Sequence, residues 1–220
     1  GSALPPEILE QIVAARAGRE PIAYSVNLTT WARGLTGPDG PHAARFRSDR
    51  SGVDAVETAE VFTAIHNPPL RMAIVGAVHI AQPLVTMARA CGHDPILIDP
   101  REAFGSQTRF PGEAVRHDWP DEAMAEIGPD ARTAVVTLTH DPKLDDPAIA
   151  AALGTPAYYI GCLGSTRTHA KRVTRLEQAG FGPDQIARLH APVGMDIGAK
   201  SPAEIAVSIM AQVIAVLRQG

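Results

Sequence analysis

The chain has 220 residues, 45% hydrophobic and 20% charged, with a formal net charge of −4. That balance is ordinary for a soluble globular protein and gives no global attraction to nucleic acid or an anionic membrane. No apolar run approaches the roughly 18 residues of a bilayer span, and Gly1-Ser2-Ala3-Leu4 lacks the basic-then-apolar order of a signal peptide. Cys91 and Cys162 form no C-x-x-C pair, so the expectation is a reduced, cytoplasmic protein without structural zinc, nucleic-acid partner or membrane partner. Gly1-Ser2 reads as a remnant of expression cloning.

In chain order, PPEILEQIVAARAG (5–18) places Ile8, Ile12 and Val13 at helical spacing and stops on Gly18. PIAYSVNLTT (21–30) is rich in β formers, GLTGPDGPH (34–42) in turn formers, and ARFRSD (44–49) reads as a return strand. EVFTAIHNPP (60–69) alternates Val61, Thr63 and Ile65 with Phe62, Ala64 and His66, then breaks at Asn67-Pro68-Pro69. Beyond it strands alternate with helices. Segments 71–76, 95–99, 114–118, 133–139 and 157–162 read as strands, and 80–91, 120–127, 146–153, 166–179 and 202–218 as helices. Ser201-Pro202-Ala203-Glu204 reads as a capping box with proline at the first helical position. Almost wholly apolar strands, each followed by a helix, build a parallel sheet covered on both faces. The predicted fold class is α/β: a Rossmann-like doubly wound parallel sheet (70–220) with a small N-terminal α+β annex (1–69). Such sheets bind ligands at the carboxyl ends of the strands, beside the switch point in strand order.

Five constellations fall at those strand ends. Gly76-Ala77-Val78-His79 follows the first strand and enters a helix whose free N–H groups favour an anion. The dinucleotide fingerprint wants glycine where Val78 stands, so that backbone can approach a pyrophosphate; a ligand-free turn is the plain alternative. Asp99-Pro100-Arg101 puts an acid where a ribose hydroxyl would bind, or where it merely pairs with Arg101. Thr139-His140-Asp141 leaves the fourth strand. A His–Asp pair there can move protons, bind an oxo group or ligate a metal, unless Asp141 only caps the turn before Pro142. In IGCLGSTRTHAKR (160–172), Gly161 and Gly164 bracket a tight loop, Ser165 or Thr166 caps a helix, and Arg167 in its first turn is a candidate phosphate contact. Lys171 and Arg175 read as a solvated face. Cys162 is either a small buried hydrophobe or a thiolate favoured by the helix start, whereas Cys91 is expected to be inert. In HAPVGMDIGAKSPAEIA (190–206), Pro192, Asp196 and Lys200 are candidates for one pocket wall, the alternative being a plain link to the last helix.

THDPKLDDPAIAAAL, AYYIGCLGSTRTHAKR and HAPVGMDIGAKSPAEIAVSI together resemble the xanthine dehydrogenase accessory family, XdhC/CoxI, and IVGAVHIAQPL followed by LIDPREAF looks like that family's Rossmann segment. The resemblance spans about residues 70–218, and Gly76, His79, Asp99, Arg101, His140, Asp141, Gly161, Gly164, Ser165, Arg167, Asp196 and Gly198 match its motif positions. It implies a maturation factor that binds molybdenum cofactor transiently and assists its sulfuration or insertion into a molybdenum hydroxylase. This would be a cofactor-binding chaperone more than a turnover enzyme. The implied partners are the apo-hydroxylase and, as further candidates, a cysteine desulfurase or a cofactor-synthesis protein; a homodimer is a candidate assembly. Three departures stand out. Val78 replaces the glycine of the family's Gly-Ala-Gly-His, Cys162 stands where a small apolar residue is usual, and a separate N-terminal domain with a Gly-Gly-Cys segment is not found, which suggests a truncated chain or a short paralogue.

The candidate cofactor-binding set is Gly76, Ala77, Val78, His79, Asp99, Arg101, Thr139, His140, Asp141, Gly161, Cys162, Gly164, Ser165, Arg167 and Asp196, with no catalytic or metal-ligating residue assigned. NAD(P) is not expected, because of Val78. An NAD(P)-dependent oxidoreductase and a cofactor-free protein-binding scaffold are the alternative readings.

Overall fold

Residues 4–56 and 59–219 are described in a computed structural model of the chain; Gly1-Ser2 lies outside them. The chain divides into two compact units, Gly1–Pro68 and Pro69–Gly220. In the first, helix α1 (Pro6–Ala17) buries Ile12 and Ala15, while Val13 is exposed. Strands β1 (Ile22–Asn27), β2 (Arg33–Thr36), β3 (Gly52–Val56) and β4 (Ala59–His66) form an antiparallel sheet in the order β2-β1-β4-β3.

Two expectations for this unit are corrected. Residues 44–49 are not a strand: they fall in helix α2 (Ala43–Ser48), capped by Asp49 in the left-handed region, with Phe46 buried. The strand returning on β1 is β2, which runs into the start of the segment read as rich in turn formers. Its hairpin is set by Asn27, whose Oδ1 accepts the Thr29 and Thr30 N–H groups at 2.9 and 2.8 Å. Arg45 explains the helix, because its guanidinium grips the Asp54 carboxylate on β3 with two bonds of 2.6 and 2.7 Å.

The second unit holds a six-stranded parallel sheet of β5 (Leu70–Val75), β6 (His93–Ile98), β7 (Val115–Arg116), β8 (Thr133–Thr137), β9 (Tyr159–Cys162) and β10 (Leu189–His190), in the order β10-β9-β8-β5-β6-β7. Alternate residues feed two separate cores. Met72, Ile74, Val136 and Tyr159 pack on one face with α3 (Ala81–Ala90) and α8 (Pro202–Gln219). Ala73, Val75, Val135, Ile160 and Cys162 pack on the other with α4 (Pro120–Ile127), α5 (Pro142–Leu153), α6 (Thr166–Gln178) and α7 (Pro183–Ile186). This is the doubly wound α/β sheet expected from the sequence.

Helix α5 starts four residues earlier than expected. Pro142, not Pro147, takes the first helical position, because Asp141 caps the helix by accepting the Lys143 N–H. The capping box of α8 forms: Ser201 Oγ accepts the Glu204 N–H, and the Glu204 carboxylate accepts the Ser201 N–H. Contrary to expectation, α8 is as long and apolar as a bilayer span by length and composition. One side of it, with Ala206, Ile209, Met210 and Val213, is nevertheless a wall of the first core. Its Gln212 Oε1 accepts both the Tyr159 hydroxyl and the Gly194 N–H, at 2.6 and 2.8 Å. That pair of bonds pins the loop after β10 to the sheet.

Gly194 makes the pinning possible. It has φ +93°, and a Cβ there would come within 2.3 Å of Ser208 Oγ on α8. Gly194→Ala should cost about 2–4 kcal/mol from strain and overpacking. A thermal melt followed by circular dichroism should therefore shift down by several degrees, and an unchanged melt would mean the loop is not packed on α8.

Candidate functional site

The direction in which successive strands are added to the sheet reverses between β5 and β8, although the two strands run parallel. β5 leads to α3 on one face, and β8 leads to α5 on the other. The helices that follow these two strands lie on opposite faces of the sheet and leave a crevice at its carboxyl edge.

The floor beside it is built on a buried carboxylate. Asp99, at the end of β6, is fully buried and accepts the Ala77 N–H at 2.8 Å, the Arg101 N–H at 3.0 Å and the Arg101 guanidinium at 2.9 and 2.8 Å. Burial pushes this carboxyl up, but the bonds from Arg101 and Ala77 outweigh burial and hold it below the usual carboxylate range. Both oxygens are thus taken by protein donors. Gly76 has φ +108°, and a Cβ there would meet Thr139 Cγ2 at 2.7 Å, so the β5 loop and the β8 loop touch at this glycine.

The loop after β8 is held from below. Thr139 Oγ1 donates to Asp145 Oδ1 at 2.7 Å, and the His140 N–H donates to Asp145 Oδ2 at 3.1 Å. His140 sits at φ +62° and is exposed. Above this loop lies a cleft of about 290 Å³ lined by Val78, His79, Ile80, Leu138, Thr139, His140, Leu163, Lys200, Pro202 and Ile205. A second cleft of about 500 Å³ shares Leu163 and Ile205 and runs along the 192–199 loop past Asp196. Three side chains able to carry positive charge, His79, His140 and Lys200, border the smaller cleft, and no carboxylate does among the described residues. The apolar walls and basic rim suit a flat ligand bearing an anionic group.

Residues 72–213 match the family model of the XdhC Rossmann domain. The chain belongs to the XdhC family. Among curated relatives it is 31% identical to the uncharacterized protein YqeB of Escherichia coli strain K12, over 79% of this chain and 32% of that protein. It is 31% identical to the molybdenum cofactor insertion chaperone PaoD of the same organism, over 68% of this chain and 41% of the relative. A probable xanthine dehydrogenase subunit of Bacillus subtilis strain 168 is also 31% identical, over 72% and 46%. The chain thus spans about a third to a half of the curated relatives it matches. A crystal structure titled as a xanthine dehydrogenase from Bacillus halodurans superposes with a TM-score of 0.68 at 26% identity, covering 97% of this chain and 64% of that one.

Within this XdhC domain the residues singled out from the sequence fall into separate places. Val78, His79, Thr139 and His140 line the smaller cleft, and Asp196 the larger. Gly76, Ala77, Asp99 and Arg101 form the hydrogen-bonded floor, with Arg101 paired to Asp99 as the plainer reading had it. Asp141 caps α5. Gly161 lies under the 192–194 loop, where a Cβ would meet Val193 Cγ2 at 2.6 Å. Gly164 and Ser165 start α6, with Ser165 capping the Thr168 N–H. Arg167 is exposed in the first turn of α6 and lines neither of these two clefts. Leu163, Ile205, Asp145 and Arg172 were not foreseen. Arg172 was hidden by its neighbours: it lies one residue past Lys171 and shares a buried stripe with Leu176, while the expected basic stripe runs through Arg167, Lys171 and Arg175.

Of the two readings of Cys162, the small buried residue is the one the structure shows. It is fully buried on the sheet face away from the clefts, and desolvation pushes its thiol up to about 12. A helix start lowers a thiol only when the thiolate can be solvated or paired, and here burial dominates. Cys91, expected to be inert, is the exposed thiol. In native protein, iodoacetamide should label Cys91 and leave Cys162 untouched until denaturant is added; native labelling of Cys162 would contradict this burial.

Asp99 generates an acid-stability prediction. Its folded pKa is lowered, so its contribution is full above the unfolded value of about 3.9 and is lost as pH falls through the folded value. Arg101→Met removes the largest opposing bonds and leaves burial to raise the carboxyl. The acid-unfolding midpoint measured by circular dichroism should then move to higher pH; no movement would show that the pair does not hold Asp99 ionised.

Proposed function

We propose that this chain is the cofactor-holding part of a maturation factor for molybdenum hydroxylases, and that it binds molybdenum cofactor transiently as cargo for insertion into the apo-enzyme. Two relatives carry names that fit this role, an insertion chaperone and a probable xanthine dehydrogenase subunit. The observation that carries the reading is the switch-point cleft, with apolar walls and a rim of His79, His140 and Lys200. The pterin cargo has a fused ring system and carries a phosphate; the walls take its rings and the rim its charge.

Insertion fits these residues better than sulfur transfer. Cys162 is sealed in the core, and Cys91 ends α3, at the opposite end of that helix from the cleft. A sulfur donor such as a cysteine desulfurase would then be a separate partner. Dinucleotides fit poorly, because Val78 occupies the approach of a pyrophosphate and both Asp99 oxygens are engaged.

The test is cofactor retention during ultrafiltration together with thermal shift. Lys200→Ala should weaken retention roughly tenfold or more, since a charge-assisted bond is worth ~1.5–3 kcal/mol, and His79→Ala should weaken it by the several-fold of one ordinary hydrogen bond, ~0.5–1.5 kcal/mol. Arg167→Ala should leave it unchanged. NAD and NADP should give no thermal shift. Wild-type protein that ignores molybdenum cofactor but is stabilised by NAD would sink the reading in favour of an oxidoreductase.

A further inference from the structure

Asp145 and Arg172 are an expensive pair to keep. They are 1% and 2% exposed, with Arg172 Nη2 3.9 Å from Asp145 Oδ2. Arg172 Nη2 also donates to the Leu163 carbonyl at 3.1 Å, while its Nε and Nη1 meet no protein acceptor among the described residues. Burying two charges with incomplete hydrogen bonding costs several kcal/mol per ion, and an apolar pair of similar volume is often the more stable choice. Stability alone therefore does not explain the pair.

Its contacts do. Asp145 Oδ1 accepts the Thr139 hydroxyl at 2.7 Å and the Thr139 N–H at 3.3 Å, and Oδ2 accepts the His140 N–H at 3.1 Å. Thr139, His140 and Leu163 all line the smaller cleft. His140 is held at φ +62°, a conformation that costs a non-glycine residue roughly 1 kcal/mol or more. Its N–H bond to Asp145 offsets that strain. The neighbouring Asp146, one residue on, instead pairs outward with Arg175. Two adjacent aspartates on α5 thus have different tasks, one joining α5 to α6 and one reaching under the cleft.

We infer that Asp145, backed by Arg172, is a positioning residue that locks the Thr139–His140 loop and the Leu163 carbonyl as two walls of the switch-point cleft, and so sets how tightly the cleft holds its anionic cargo. This rests on the cargo reading above. Neither side chain lines the cleft; both act through the backbone they hold.

The experiment compares wild type, Asp145→Asn, the double variant Asp145→Asn with Arg172→Met, and Asp146→Ala as an α5–α6 packing control. Asp145→Asn can still accept from Thr139, but its amide cannot serve the His140 N–H on the other side, and it leaves Arg172 unpaired and at risk of misfolding. The double variant removes both buried charges and should melt near wild type. Two readouts are taken: the His140 imidazole C2–H resonance, assigned with His140→Gln, and retention of molybdenum cofactor. In the double variant the His140 resonance should shift and broaden, and retention should fall roughly tenfold, as when an outer partner of a ligand-binding group is lost. Asp146→Ala should leave both readouts at wild-type values. A folded double variant with an unchanged His140 resonance and unchanged retention overturns the inference. If wild type itself retains no cofactor, the cargo reading fails, and the resonance alone still decides whether Asp145 positions His140.

Discussion

The buried carboxylate of Asp145 is the constraint on which the carboxyl edge of this sheet depends. It collects three donors from two consecutive residues, the Thr139 hydroxyl, the Thr139 N–H and the His140 N–H. An anion in a site this dry is pushed upward by burial, and the donors together with Arg172 and His140 only partly counter that. The carboxylate therefore works only where the loop presents its N–H groups inward. That requirement turns the His140 backbone into the left-handed region. The same loop presses Thr139 against Gly76, so one carboxylate on α5 organises the exits of both central strands.

A second anchor works from the opposite face. Gln212 on α8 ties Tyr159 on β9 to Gly194 in the loop after β10. Gly161, lacking a Cβ, leaves the room that Val193 and the Tyr159 ring occupy. Through this anchor the 192–200 segment is held over the sheet edge and brings Lys200 to the cleft that begins at Val78. The cleft thus has one wall set from the α5–α6 face and one set from the α3–α8 face. A doubly wound sheet can supply two such walls only where its connections part, at the β5–β8 boundary.

The chain belongs to the XdhC family, and two of its residues that stood out in the sequence, Val78 and Cys162, have plain physical roles here. Val78 is half-buried, packs against the first core and lines the cleft. It trades close backbone approach for apolar wall. Cys162 is a core residue on the far face, where its reactivity is suppressed by burial.

Periodicity and composition alone determined the parallel α/β sheet, nearly all its strands and helices, the α8 capping box and the importance of the strand ends, because each is written in local spacing of apolar and capping residues. His79, His140 and Lys200 were visible for the same reason: a strand-end loop announces itself by its breakers. Local pattern misled at 44–49, which became helix with Arg45 reaching across to Asp54 on β3. At α5 the deciding bond was local: Asp141, one of whose two readings was a cap before Pro142, caps the helix and starts it at Pro142. Arg167 and Arg172 are both basic residues on one helix. Only the packing of α6 against α5 and the sheet put Arg172 inside and Arg167 in solvent, since which face of a helix is buried depends on its neighbours. The role of Asp145 was likewise invisible in DPKLDDP. An aspartate on a helix reads as solvated until tertiary structure removes the water around it and supplies the Thr139 and His140 donors that water would otherwise replace.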